Sequence, residues 1–124
     1  MKRSQKSAVA VAAALGLSFF ASSIAGAAGS LAVNKCGAYG YSYGKGSVGE
    51  AEEVALQECG PGCSVVLHFE NACGAFATDA DQHCGAQGWG WAPGRNRAEE
   101  IALNECSNRG GGNCTIRRWV CDGE

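Results

Sequence analysis

Hydrophobic and polar positions alternate in two short stretches of this chain, and each stretch leads into a segment of helical period. Tyr39, Tyr41 and Tyr43 occupy every second position after Cys36-Gly37-Ala38, and Gln87, Trp89 and Trp91 do the same after Cys84-Gly85-Ala86. A strand sends alternate side chains to one face, so each stretch predicts a strand with one aromatic face. The small residues between the aromatics leave the other face open to close approach by a second layer. Gly44-Lys45-Gly46-Ser47 and Pro93-Gly94 then turn the chain. Ala51, Val54, Ala55 and Cys59 form one apolar stripe at helical spacing, repeated by Ala98, Ile101, Ala102 and Cys106. These stripes predict helices from residue 49 or 50 to 58 and over 97–105, with Ser47 and Asn96 as N-caps. Glu52, Glu53, Glu99 and Glu100 sit early, where carboxylates favour the positive helix end. Strands are expected again at 64–69 and 115–120, rich in β-branched and aromatic residues. Arg117 and Arg118 mark the latter as partly facing solvent.

The chain therefore reads strand–helix–strand twice. Cys36 to Tyr43 matches Cys84 to Trp91 at an offset of 48, and Ala51 to Cys59 matches Ala98 to Cys106 at an offset of 47. The expected fold is a small disulfide-stabilised α+β domain of duplicated β-α-β units, in the order β-α-β-β-α-β. Units are expected at 36–73 and 84–121 within one domain, 36–124, preceded by a short N-terminal segment, 28–35.

The earliest hydrophobic run has a different meaning. Lys2, Arg3 and Lys6 precede an apolar stretch from Ala8 to Phe20, followed by the small residues Ala25-Gly26-Ala27. This is the pattern of a cleaved secretory signal, 1–27, and the run is short for a membrane span. Without Lys2, Arg3 and Lys6, seven of the ten basic side chains remain against twelve acidic ones, a net charge of −5 with histidines neutral. That balance argues against nonspecific nucleic-acid binding, which needs many cationic phosphate contacts.

All eight cysteines lie in the doubled region. In an exported chain, an even number of cysteines in a mature chain of 97 residues, 28–124, points to four disulfides. Local pairing joins Cys59 to Cys63 and Cys106 to Cys114 at the helix ends, with Cys36–Cys73 and Cys84–Cys121 closing each copy. A crossed alternative, Cys36–Cys84 with Cys73–Cys121, ties the copies together. Spacing alone leaves both open.

Candidate chemistry is sparse. His68 and His83 belong to no His-Glu-x-x-His arrangement, and no nucleophile elbow or phosphate-binding glycine loop occurs. No catalytic residue, cofactor or metal is therefore expected. Glu70, Asp79 and Asp81 are the only acids outside the helices and C-terminal tail that invite a hydrolytic reading. Aromatic and arginine side chains are better candidates for recognition, because they dominate desolvated contacts at interfaces. The set is Tyr39, Tyr41, Trp89, Trp91, Arg95, Arg97 and Trp119.

Several of these pieces resemble the DUF4189 family of small exported bacterial proteins. The resemblance rests on Cys-Gly-Ala-Tyr-Gly-Tyr-Ser, Ala-Glu-Glu-Val-Ala-Leu-Gln-Glu-Cys, Cys-Ser-Val-Val and Asn-Ala-Cys-Gly-Ala. Gly-Trp-Gly-Trp-Ala and Cys-Thr-Ile-Arg-Arg-Trp-Val-Cys extend it across nearly all of 36–121. It implies export but supplies no catalytic residue and no established molecular function. The expectation is a noncatalytic, secreted, periplasmic or envelope-associated interaction domain with a protein or cell-envelope partner. Its mature chain should have no transmembrane segment. The alternative is a small secreted hydrolase acting on an envelope polymer.

Overall fold

A computed structural model describes residues 26–122, so all but the last two residues of the expected signal, 1–27, lie outside the described residues. The chain forms β1 (Ala28–Val33), β2 (Tyr39–Lys45), α1 (Val48–Cys59) and β3 (Ser64–Glu70), then β4 (Cys73–Asp79), β5 (Gln87–Ala92), α2 (Arg95–Asn108) and β6 (Cys114–Cys121). It is an α+β fold with two antiparallel three-stranded sheets, ordered β2-β1-β3 and β5-β4-β6. The duplicated β-α-β units are present, and each gains an initial strand at the centre of its sheet. The segment 28–35, read as an extension preceding the domain, instead supplies β1.

Those central strands move the boundary between the copies. Ala28 faces Glu70 across β1 and β3, and Cys73 faces Cys121 across β4 and β6. Cys73 is thus the counterpart of Ala28 and opens the second copy; it does not close the first. Ala28-Gly29-Ser30-Leu31-Ala32-Val33 and Cys73-Gly74-Ala75-Phe76-Ala77-Thr78 are equivalent strands. The copies run over 28–72 and 73–122, in place of units bounded at 36–73 and 84–121.

This boundary explains the cysteine pairing. Cys59–Cys63 and Cys106–Cys114 form as expected. The outer closures Cys36–Cys73 and Cys84–Cys121 do not: Cys36 bonds to Cys84, and Cys73 bonds to Cys121. The equivalent loop cysteines Cys36 and Cys84 join one copy to the other. Cys73–Cys121 staples two neighbouring strands within the second copy, and the first copy has Ala28 and Glu70 at those places.

The helices cover the outer faces of the sheets. Ser47 accepts a hydrogen bond from Glu50 N at 3.1 Å, and Glu50 Oε1 accepts one from Gly46 N at 3.1 Å. One otherwise orphaned donor of the first turn of α1 is thereby satisfied, and the chain just before the cap is tied to it. The N-cap of α2 is Gly94 and not Asn96, because the helix begins two residues earlier than its apolar stripe indicates. Each helix lies directly on a strand glycine. A Cβ at Gly40 would stand 2.3 Å from Ala55 O, and one at Gly88 would stand 2.2 Å from Ala102 O. Ala51 and Ala55, like Ala98 and Ala102, are buried against these faces.

The opposite faces of the sheets meet each other. Leu31, Val33 and Phe76 form a buried cluster, with Tyr39, Tyr41, Val66, Leu67 and Trp89 packed around it. Phe69 fits over the equivalent glycines Gly29 and Gly74, where an added Cβ would come within 2.6 Å of its ring in both cases. The architecture is therefore helix–sheet–sheet–helix, with its central core shared by the two copies. The tight β3–β4 connection places Asn71 at φ 51°, a left-handed conformation that asparagine tolerates better than most residues.

Candidate functional site

A bulge in β6 sets the geometry of the aromatic and arginine residues. Phe76 is opposite Arg118 and Ala77 is opposite Ile116, so Arg117 is the extra residue. Ile116 packs with the α2-side core, whereas Arg118 reaches β2 of the first copy. Its guanidinium lies 4.1 Å from the Tyr41 ring centroid and donates a hydrogen bond to Tyr41 Oη. Tyr43 stacks beyond Tyr41, with centroids 6.4 Å apart and planes inclined by 9°. Trp119, next along β6, carries Arg95 at 3.8 Å from its ring centroid. Glu99 accepts from Arg95 Nε at 2.9 Å and holds that guanidinium in place. Such cation–π contacts contribute about 0.5–1 kcal/mol at exposed sites and more where water is excluded.

Tyr43, Arg118, Trp119, Val120 and Cys121 line a shallow groove of about 250 Å³ at this junction of the copies. Tyr43 is 57% exposed and Trp119 36%, so both remain available to a partner. Just past β6, Asp122 Oδ1 accepts from Gly44 N at 2.6 Å, a further link between the copies. The symmetry-related region does not repeat this chemistry: Leu67 and His68 replace Arg118 and Trp119 by register. His68 instead meets Glu52 at 3.4 Å on the surface.

The expected recognition residues separate into groups. Tyr41, Arg95 and Trp119 belong to the groove region. Tyr39 and Trp89 pack at the inter-sheet core, with Arg117 and Arg109 against their rings at 5.5 and 4.5 Å. Trp91 is exposed but lies on β5, the edge of the second sheet opposite β6. Arg97 is exposed and paired with Glu100. Tyr43 and Arg118 complete the groove. Tyr43 continued the alternation of Tyr39 and Tyr41, but the bulge that aims Arg118 left no such mark in the sequence.

The loop acids have structural partners. Asp79 Oδ1 accepts from Asp81 N at 2.9 Å, and its Oδ2 accepts from Gly112 N at 3.2 Å. Asp81 Oδ2 accepts from Asn113 Nδ2 at 3.4 Å, and Asn113 O accepts from Ala80 N at 2.8 Å. The loop after β4 therefore packs onto the loop closed by Cys106–Cys114. Glu70 ends β3 just before the turn into β4, while Asp79 ends β4. Six residue steps along a strand separate these ends by about 20 Å, well beyond the roughly 5–9.5 Å used by paired glycosidase carboxylates. No group of three or more potential metal-ligating side chains occurs among the described residues. None of the described helices is long and apolar enough to cross a membrane.

Comparison with known proteins supplies a fold relative and a family. The NMR structure of Rv1813c from Mycobacterium tuberculosis is similar at 28% identity and a TM-score of 0.54, covering 77% of this chain and 74% of that one. No curated protein matches the chain. The family model described as "Domain of unknown function (DUF4189)" matches residues 28–121, beginning with β1 and ending with β6. Its span encloses both sheets and all four disulfides, and the chain belongs to the DUF4189 family.

Proposed function

We propose that this chain is an exported, noncatalytic interaction domain that binds a protein or cell-envelope component through the groove at the β2–β6 junction. The observation that carries the reading is the exposure of Tyr43 and Trp119 on either side of Arg118. Aromatic faces contribute apolar contact area, and the guanidinium groups offer directional donors to carboxylate or phosphate. Tyr41 and Glu99 restrain two of these arginines before binding, which reduces the side-chain freedom lost on association. The basic start and apolar run of the chain, together with its disulfides, support an extracytoplasmic location. Glu70 and Asp79 lend no geometric support to the hydrolytic alternative.

Purified oxidised domain should bind saturably to an isolated envelope fraction or a cosecreted protein without turning it over. Trp119→Ala and Tyr43→Ala should each weaken binding by about tenfold or more while leaving the circular dichroism unchanged. Full binding by the double variant would contradict the proposed surface. Absence of binding across all envelope and secreted fractions would contradict the interaction role.

A further inference from the structure

We propose that Cys36–Cys84 is a thiol-exchange site, opened ahead of the other three disulfides by an external dithiol oxidoreductase. Cys36 and Cys84 are both exposed, whereas the six other cysteines are buried or half-buried. A thiolate must approach the sulfur it attacks, so access alone ranks this bond first. Cys84 also lines a shallow groove with Lys35 and Arg109. Positive side chains favour an approaching thiolate and stabilise the thiolate that departs.

The position of this bond gives its opening a structural consequence. Ala28 lies opposite Glu70 across β1 and β3, placing the chain connection between the copies beside the start of β1. Cys36 and Cys84 lie beyond the other ends of β1 and β4, in the loops leading to β2 and β5. The copies are thus joined by the chain at one end and by the exposed disulfide at the other. Gln87 Nε2 donates to Asn34 O at 2.8 Å near this second junction, so a noncovalent contact remains when the disulfide opens.

In the exchange, a partner thiolate attacks Cys84 Sγ; the Cys36–Cys84 bond breaks, and Cys36 leaves as a thiolate that takes a proton. The partner's second thiol loses its proton and attacks the mixed disulfide, releasing Cys84, which is also protonated. Two electrons and two protons pass to this disulfide, and the partner dithiol becomes a disulfide.

The oxidised mature domain should be treated with a thioredoxin-type dithiol, its reductase and NADPH, then mapped by timed alkylation and peptide mass spectrometry. Cys36 and Cys84 should be labelled at least about tenfold faster than the other cysteines, with secondary structure retained. Reduction of another pair first, or of all four together, would overturn the proposal. A thioredoxin lacking its resolving cysteine should be trapped on Cys84; trapping on Cys36 would overturn the assigned direction of attack. Lys35→Glu should slow exchange severalfold without altering the fold, and an unchanged rate would overturn the role assigned to the groove charge.

Discussion

Replacing Phe76 with alanine tests whether the two copies share one core. Phe76 belongs to the second copy but is completely buried with Leu31 and Val33 of the first. Its ring centroid lies 6.0 Å from that of Tyr39, with planes tilted by 55°. Removing a buried phenylalanine side chain sacrifices its transfer free energy and leaves a cavity, together costing about 3–5 kcal/mol. Loss of the Tyr39 ring contact belongs within that total. Against a net stability of about 5–15 kcal/mol for a domain, this is a large fraction. Urea denaturation of oxidised protein, followed by tryptophan fluorescence, should show the loss with an unchanged denaturant slope. Leu56→Ala is the matched surface control, because Leu56 is already 38% exposed, and it should cost less than about 1 kcal/mol. A Phe76→Ala loss no greater than that of the control would refute the shared core.

Two further stability measurements probe the links between layers and copies. Loop-closure entropy predicts a loss of about 4 kcal/mol on removing Cys36–Cys84, whose residues are 48 apart, against about 2 kcal/mol for Cys59–Cys63, only 4 apart. Urea titration of the paired cysteine-to-serine variants should preserve that order. Gly88→Ala should destabilise by about 1–3 kcal/mol, because its Cβ would meet helix backbone at 2.2 Å and the helix must shift. Gly94→Ala, with no atom within 4 Å of the added carbon, should show no packing penalty of that kind in the same urea titrations.

The helices were legible in the sequence because Ala51, Ala55, Ala98, Ala102 and Cys106 fall on single faces, and those residues are buried. Alternating Tyr39, Gly40 and Tyr41 also identified a strand with one aromatic face and one face open to a helix. The central strands were harder to read. Every residue of β1 and the first six of β4 are buried, so neither shows the polar alternation of a strand with one solvated face. Their small residues admit a helix on one side and Phe69 on the other, a tertiary reason with no distinct sequence signal. Without these strands Cys73 reads as the end of the first copy, and nothing in the sequence favours the crossed pairing over the local one. The groove was legible in part: Tyr41, Arg95 and Trp119 were identifiable by residue type. Arg118 required the register shift in β6, and Tyr43 required knowledge of which end of β2 stays open.

Peptide mapping of the nonreduced mature protein tests the corrected boundary between copies most directly. The fold predicts peptides joined through Cys36–Cys84 and Cys73–Cys121, alongside Cys59–Cys63 and Cys106–Cys114. Recovery of Cys36–Cys73 and Cys84–Cys121 would contradict it, because each copy would then be closed on itself with no covalent bridge between the equivalent loops.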